Sequence, residues 1–289
     1  LIDPTGNLLA AYEVPGYALL IEAAKVGPAH NTMALITAID AGSISTSTFA
    51  GKTLNYMQFR TAAGGVSIGS VSMDAQGNLL HMDYWPYGAQ SQPSAPFSGG
   101  TFPASSIQLD ASGTFLVLTE SDASVDHVFG TANGLFAVDS GNGAILGMPQ
   151  AANSEFNPTN FGTYKAIFYQ KTGSQTGVGN VETGTPSLGN ATVTISSTGG
   201  LTITDSQSNV LSTGTLTAVA AEPYLYDGTS NELSSPCNGL FTVRIASATS
   251  QQDVFLGFQG NTVIFSSYET ALPFAQSNPY NYFYGVGLK

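Results

Sequence analysis

An all-β chain, made of two similar antiparallel β-barrel or β-sandwich repeats behind an N-terminal extension, is what this sequence predicts. Three observations lead there. Apolar and polar residues alternate with a period of two through many short segments. Gly, Asn and Asp turn signals separate those segments. One phrase also occurs twice, as Asn133-Gly134-Leu135-Phe136 and as Asn238-Gly239-Leu240-Phe241, each time running on into strand-forming residues.

Residues 1–50 form the predicted extension, packed on the first repeat. Within it, residues 16–25 are rich in Ala and Leu and predict one short helix, with a strand as the close alternative. The first repeat covers residues 51–150. Residues 66–73 alternate, Asp74-Ala75-Gln76-Gly77-Asn78 turns, and Leu79 resumes the strand. Further hairpins turn at residues 110–113 and 139–143. The second repeat covers residues 151–289, with hairpins at residues 198–200 and 259–261 and a closing strand at residues 280–286. Setting the halves side by side matches residues 51–56 with 162–166, and the turn at 74–78 with that at 198–200. It also matches the two Asn-Gly-Leu-Phe strands, and Ile145-Leu146-Gly147-Met148 with Phe255-Leu256-Gly257-Phe258.

Composition narrows the function. Hydrophobic residues make up 42% of the 289, enough for a real core, while charged residues are only 9%, against about 25% in an ordinary soluble protein. Hydroxyl and amide side chains take their place, as in exported β-proteins. The formal net charge is −12, with −8 in residues 1–150 and −4 in residues 151–289. Both halves repel phosphate, which excludes nucleic acid as a main partner and disfavours anionic lipid. Cys237 is the single cysteine, so no internal disulfide or cysteine zinc site forms. It reads as a small, partly buried residue, with an intermolecular bridge as the alternative. The chain starts at Leu1, which reads either as a removed leader or as a trimmed chain, and its longest apolar run, residues 17–21, is too short to span a bilayer. The expected location is the periplasm, the cell surface or the medium.

Candidate chemistry comes next. Gly65-Val66-Ser67-Ile68-Gly69 has the spacing of a hydrolase nucleophile, with Asp122 and His127 to complete a triad. Alternation continues past Ser67, however, where the chemistry needs a sharp strand-to-helix turn. Three acids and an imidazole fall within residues 120–127, but without Ca²⁺-loop or His-x-x-x-His spacing they read as a solvated hairpin loop. Asp83-Tyr84-Trp85-Pro86-Tyr87 holds the only tryptophan. Its aromatics, Tyr84, Trp85 and Tyr87, either plug a barrel end or stack on a sugar or apolar ligand, with Asp83 or His81 orienting it. Thr-x-Thr pairs at 192/194, 202/204 and 213/215/217 fall on one strand face, an ordinary wet face in the absence of the fixed repeat that ice binders need.

The expected function is therefore an exported, non-catalytic binding or surface-structural protein. No catalytic residue, metal or cofactor is assigned, and the ligand is a glycan or an apolar small molecule. Two alternatives remain. One is a secreted hydrolase of carbohydrates or esters. The other is a subunit that self-associates by adding an edge strand to a neighbour's sheet.

Overall fold

The structure is a computed structural model. It describes residues 11–14, 18–25, 32–39, 44–60, 65–84, 97–131, 134–140, 143–176, 181–219, 237–271 and 279–289. It is all-β. Among the described residues helix is limited to short 3-10 turns, such as those at Thr46–Thr48, Ala104–Ser106 and Pro158–Asn160.

Three strands, β1 (Ala11–Val14), β2 (Ala18–Lys25) and β3 (Thr32–Ile39), form a small antiparallel sheet. Of the residues 16–25 considered as a helix, 18–25 form strand β2, paired with β1 and β3, and the other two lie outside the described residues. Backbone pairing on both sides overrides the helix propensity of Ala and Leu, as tertiary context commonly does. Strand β3 runs beside the strand Phe136–Ser140 of the first large sheet and beside the strands Gly162–Thr176 and Val181–Ile195 of the second.

The first large sheet comprises β4 (Thr53–Arg60), β5 (Gly65–Met73), β6 (Leu79–Tyr84), β7 (Phe97–Phe102), β8 (Ile107–Leu109), β9 (Leu116–Thr119), β10 (Val125–Gly130), β11 (Phe136–Ser140) and β12 (Gly143–Pro149). Its order is β7-β6-β5-β4-β12-β11-β10-β9-β8. Every neighbour is consecutive in sequence except β4 and β12, which close a meander on itself. Since all pairs are antiparallel, β7 and β8 must run in the same direction. They are two halves of one stave, broken at residues 103–106, so the sheet is a nearly closed barrel of eight staves.

The second sheet repeats this plan with β13 (Gly162–Thr176), β14 (Val181–Ile195), β15 (Gly200–Asp205), β16 (Val210–Thr215), β17 (Thr217–Ala218), β18 (Leu240–Ala246), β19 (Ser250–Gln259), β20 (Thr262–Ala271) and β21 (Pro279–Leu288). Its order is β16-β15-β14-β13-β21-β20-β19-β18-β17, with the broken stave at Leu216. Here the break is tight, because β16 lies against β18.

A shared plug extends the likeness. Just before the first strand of each barrel stands a 3-10 turn whose C-cap residue is a phenylalanine, Phe49 or Phe161. Phe49 is buried with Ile44 against the first core and meets Phe136 edge-on at 6.0 Å. Phe161 stacks on Phe156, which in turn touches Phe241 and Phe258 at 4.9 and 5.5 Å.

The matched phrase, by contrast, does not mark matching places. The first copy leads into β11, the eighth strand of its barrel, and the second into β18, the sixth of its own. What they share is a turn. Gly134 and Gly239 have φ of +87° and +92°, a conformation that favours glycine at the start of a strand. Likewise Gly147 faces Phe136 inside its own barrel, whereas Gly257 faces Met148 of the other.

Candidate functional site

Among the described residues, a cavity opens inside the first barrel, while large side chains pack the core of the second. Tyr164, Phe168, Phe265 and Phe283 crowd the second interior with Val and Leu from neighbouring strands. In the first, a cavity of about 150 Å³ remains between Tyr56, Val71, Leu79, Phe102, Leu118, Phe136, Val138 and Ile145, together with Gln58, His81, Glu120 and Asp126. Inward residues alternate along β4 as Leu54, Tyr56 and Gln58, so the strand turns polar toward its end.

Strand direction explains the division of the lining. β4 starts beside the Phe49 plug and runs away from it. β6 and β9 run the same way, and the turn from β9 to β10 lies at the far end. Gln58, Glu120 and Asp126 therefore gather at the end away from the plug, above an apolar floor. The broken stave forms one side of the cavity wall. A depression of about 570 Å³ lies along it, lined by His81, Gly100, Thr101, Phe102, Ser105, Gln108, Thr119 and Glu120 among others. His81, Phe102 and Glu120 border both spaces. His81 is half-buried, with its ring 5.7 Å from that of Phe102. It lies directly over Gly100, where a Cβ would strike the imidazole; glycine at this position lets the ring lie across β7.

Of the residues expected to bind ligand, His81 is at the cavity. Asp83 and Tyr84 end β6, paired with Gly69 and Ile68 of β5 and with Ser98 and Phe97 of β7. Their side chains, and Trp85 and Tyr87 altogether, lie outside the described residues. Gln58 went unnoticed in the sequence, although an amide at an inward position of an apolar alternation is a readable signal.

The hydrolase pattern is not assembled. Ser67 is fully buried in the middle of β5 and donates to Gln58 Oε1 at 3.2 Å. It sits on regular strand, not on the strained turn that exposes a nucleophile. His127 neighbours the inward Val128, so it takes the outer face, edge-on to Phe115 at 5.2 Å. Asp122 holds the β9–β10 turn by accepting from the backbone N–H and the hydroxyl of Ser124. The acidic run is thus divided. Asp122 builds the turn, while Glu120 and Asp126 reach the cavity. Among the described residues no three of His, Cys, Asp and Glu gather as a metal site.

The threonines face outward as expected. Thr194, Thr202 and Thr213 make one cross-strand row, with Thr202 and Thr213 hydroxyls 3.5 Å apart. Cys237 is fully buried, which removes it from any bridge to another chain.

Fold and cavity together define the class: a tandem β-barrel protein with a cavity in one barrel and a packed core in the other. No protein-family model matches the sequence, and no curated protein matches it. Among solved structures, a protein of unknown function from the DUF3598 family of Nostoc punctiforme is similar at 10% identity, over 84% of this chain and 98% of its own, with a TM-score of 0.29. A candidate outer membrane protein from Bacteroides fragilis is similar at 11% identity, over 84% and 99%, with a TM-score of 0.23. Kievitone hydratase from Nectria haematococca is similar at 7% identity, over 83% and 89%, with a TM-score of 0.21. Among the described residues no helix is long and apolar enough to cross a membrane.

Proposed function

We propose that this is an exported, non-catalytic binding protein whose first barrel takes up one small, mainly apolar molecule. The observation that carries the reading is the cavity of about 150 Å³ with its apolar floor and polar rim. An eight-stranded barrel leaves room for packed side chains or for one small ligand. The second barrel uses that room for phenylalanines, and the first leaves it open. An apolar void of this size accepts a benzene-sized group. The low charge content and hydroxyl-rich surface support export. β6 ends and β7 begins at the rim end, and Trp85 and Tyr87 follow β6 in the sequence, which supports counting them with the binding region.

Titration with benzyl alcohol, followed by amide NMR shifts, tests the proposal. Saturable shifts are expected in β4, β6, β9 and β11. Val138→Phe, which fills the cavity, removes them while the protein stays folded. Shifts that are absent, or that survive Val138→Phe unchanged, sink the reading.

A further inference from the structure

We infer that the broken stave of the first barrel leaves a docking slot for an extended peptide segment, which enters between β7 and β9 as an additional strand. The inference goes beyond the uptake of a small molecule and does not depend on it.

The two walls of the slot follow from the topology. β7 ends the first sheet, so among the described residues no strand pairs with its outer edge. β9 pairs with β8 only over residues 116–118, and among the described residues no strand covers Thr119 on that side. Because β7 and β8 share one stave, the open edge of β7 faces the end of β9. The depression of about 570 Å³ lies between them, with Gly100, Thr101 and Phe102 on one side and Thr119, Glu120 and Ser121 on the other. The second barrel closes at the same place. There β16 lies against β18, and Gly214 approaches Val243 so closely that a Cβ would strike it.

The occupant follows from the backbone and from the two walls. An open edge presents N–H and C=O groups in a row, which recruits another strand unless charge, proline or a bulge blunts it. β7 reads Phe-Ser-Gly-Gly-Thr-Phe, without a charge or a proline, and its pairing with β6 runs without a bulge. An edge left in this state suits strand addition. A wall on each side excludes the edge of a folded sheet, which already has a neighbour, and admits a single strand with both edges free. β7 and β9 run in opposite directions, so the inserted strand is antiparallel to one and parallel to the other. Its side chains alternate. One set points inward, where His81 and Phe102 border both slot and cavity, and takes apolar residues. The other set faces water and takes polar ones.

The probe is the peptide acetyl-Lys-Phe-Thr-Val-Lys-amide, whose Phe and Val share one face, added to the intact chain and followed by amide NMR. Saturable shifts are expected at Gly100, Thr101, Thr119 and Glu120, and none in β16 or β18, where the gap is closed. Successive N–H groups of a strand point to opposite neighbours, so two N-methylated peptides distinguish insertion from addition to one edge. Methylation at Phe and Val, or at Thr alone, should in each case weaken binding about ten-fold, the loss of a hydrogen bond to one wall or the other. If either methylated peptide binds as well as the parent, the strand lies on a single edge and the slot is refuted. The absence of saturable shifts, or equal shifts in the second barrel, overturns the inference as well. Uptake of benzyl alcohol is read independently and stands or falls on its own titration.

Discussion

Cys237 shows how far burial alone can set chemistry. Its thiol is fully enclosed at the start of the Asn-Gly-Leu-Phe turn, and burial pushes its pKa up to about 12. A neutral, enclosed thiol is a poor nucleophile. Ellman's reagent should leave the native protein unlabelled at mildly alkaline pH and modify one thiol per chain in denaturant. Labelling of the folded protein would contradict the enclosure. The hairpin aspartates behave in the opposite way. Asp74 and Asp205 each accept from the side-chain amide and the backbone of the residue four positions on, Asn78 or Asn209. The side-chain hydrogen bond is the main cause that holds each carboxyl below its ordinary value. At Asp122 the Ser124 hydroxyl plays that part. A native pKa below the unfolded one, about 3.9, means the native turn binds fewer protons. Its contribution is present above that value and is lost as pH falls through the native pKa. Melting temperature should therefore hold through mildly acidic pH and drop below about 4. The double variant Asp74→Asn/Asp205→Asn should show a shallower drop, measured by circular dichroism. Ala123, in the Asp122 turn, has φ of +68°. Ala123→Gly should stabilise the protein by about 1 kcal/mol in urea unfolding, by relieving left-handed strain.

Strands were readable from the sequence wherever one face is buried and the other wet, as in residues 66–73 and 191–195. They were not readable where the pattern is broken. Residues 181–190 of β14 contain Gly184, Pro186 and Gly189 and look like a loop, yet they pair along their whole length with β13. The broken staves were equally hidden, because a strand that changes partner shows only as a short irregularity in alternation. His81 was found through neighbouring aromatics. Gln58 was overlooked because nothing near it resembles a motif. Self-association through the closing strand also looks different in the fold: β21 is flanked by β13 and β20 along almost all of its length, so it presents no edge. Among the described residues β15 pairs only with residues 191–195 of β14, and no other strand pairs with residues 181–190 on that side. Pro186 stands in the middle of that uncovered stretch and pairs with Lys171. Lacking an N–H, it interrupts the donors an incoming strand would need. Pro186→Thr should preserve the fold and shift the protein from monomer toward concentration-dependent oligomers in light scattering. A strictly monomeric variant at high concentration would show that the proline guards nothing.

The two barrels share more than a plan. Side chains on the outer face of β4, β5 and β12, among them Asn55, Met57, Ile68 and Met148, are all but fully buried, although they point away from their own core. They meet the outer face of the second barrel. Met148 lies against Gly257, Ser266 donates to Met57 Sδ at 3.6 Å, and β20 runs beside β4 and β5. A polar clamp closes the edge of this contact. Asn55 Nδ2 and the Ala151 N–H both donate to the Asn238 carbonyl, at 2.7 and 2.9 Å, and Gln150 Nε2 donates to Asn55 Oδ1 at 3.1 Å. An apolar contact of this kind resembles a core that continues from one barrel to the next. Neither barrel can unfold without exposing the other's buried face. Calorimetry should thus give a single transition whose van't Hoff and calorimetric enthalpies agree. Asn55→Ala should keep that single transition and lower stability by about 1–3 kcal/mol, the cost of leaving a buried partner unsatisfied. Met57→Asp places a charge in the middle of the contact, where desolvation cannot be offset. That variant should split the transition in two, with the second barrel, fuller in its core, melting last. Two separate transitions in the unaltered protein would mean that the barrels fold as independent bodies.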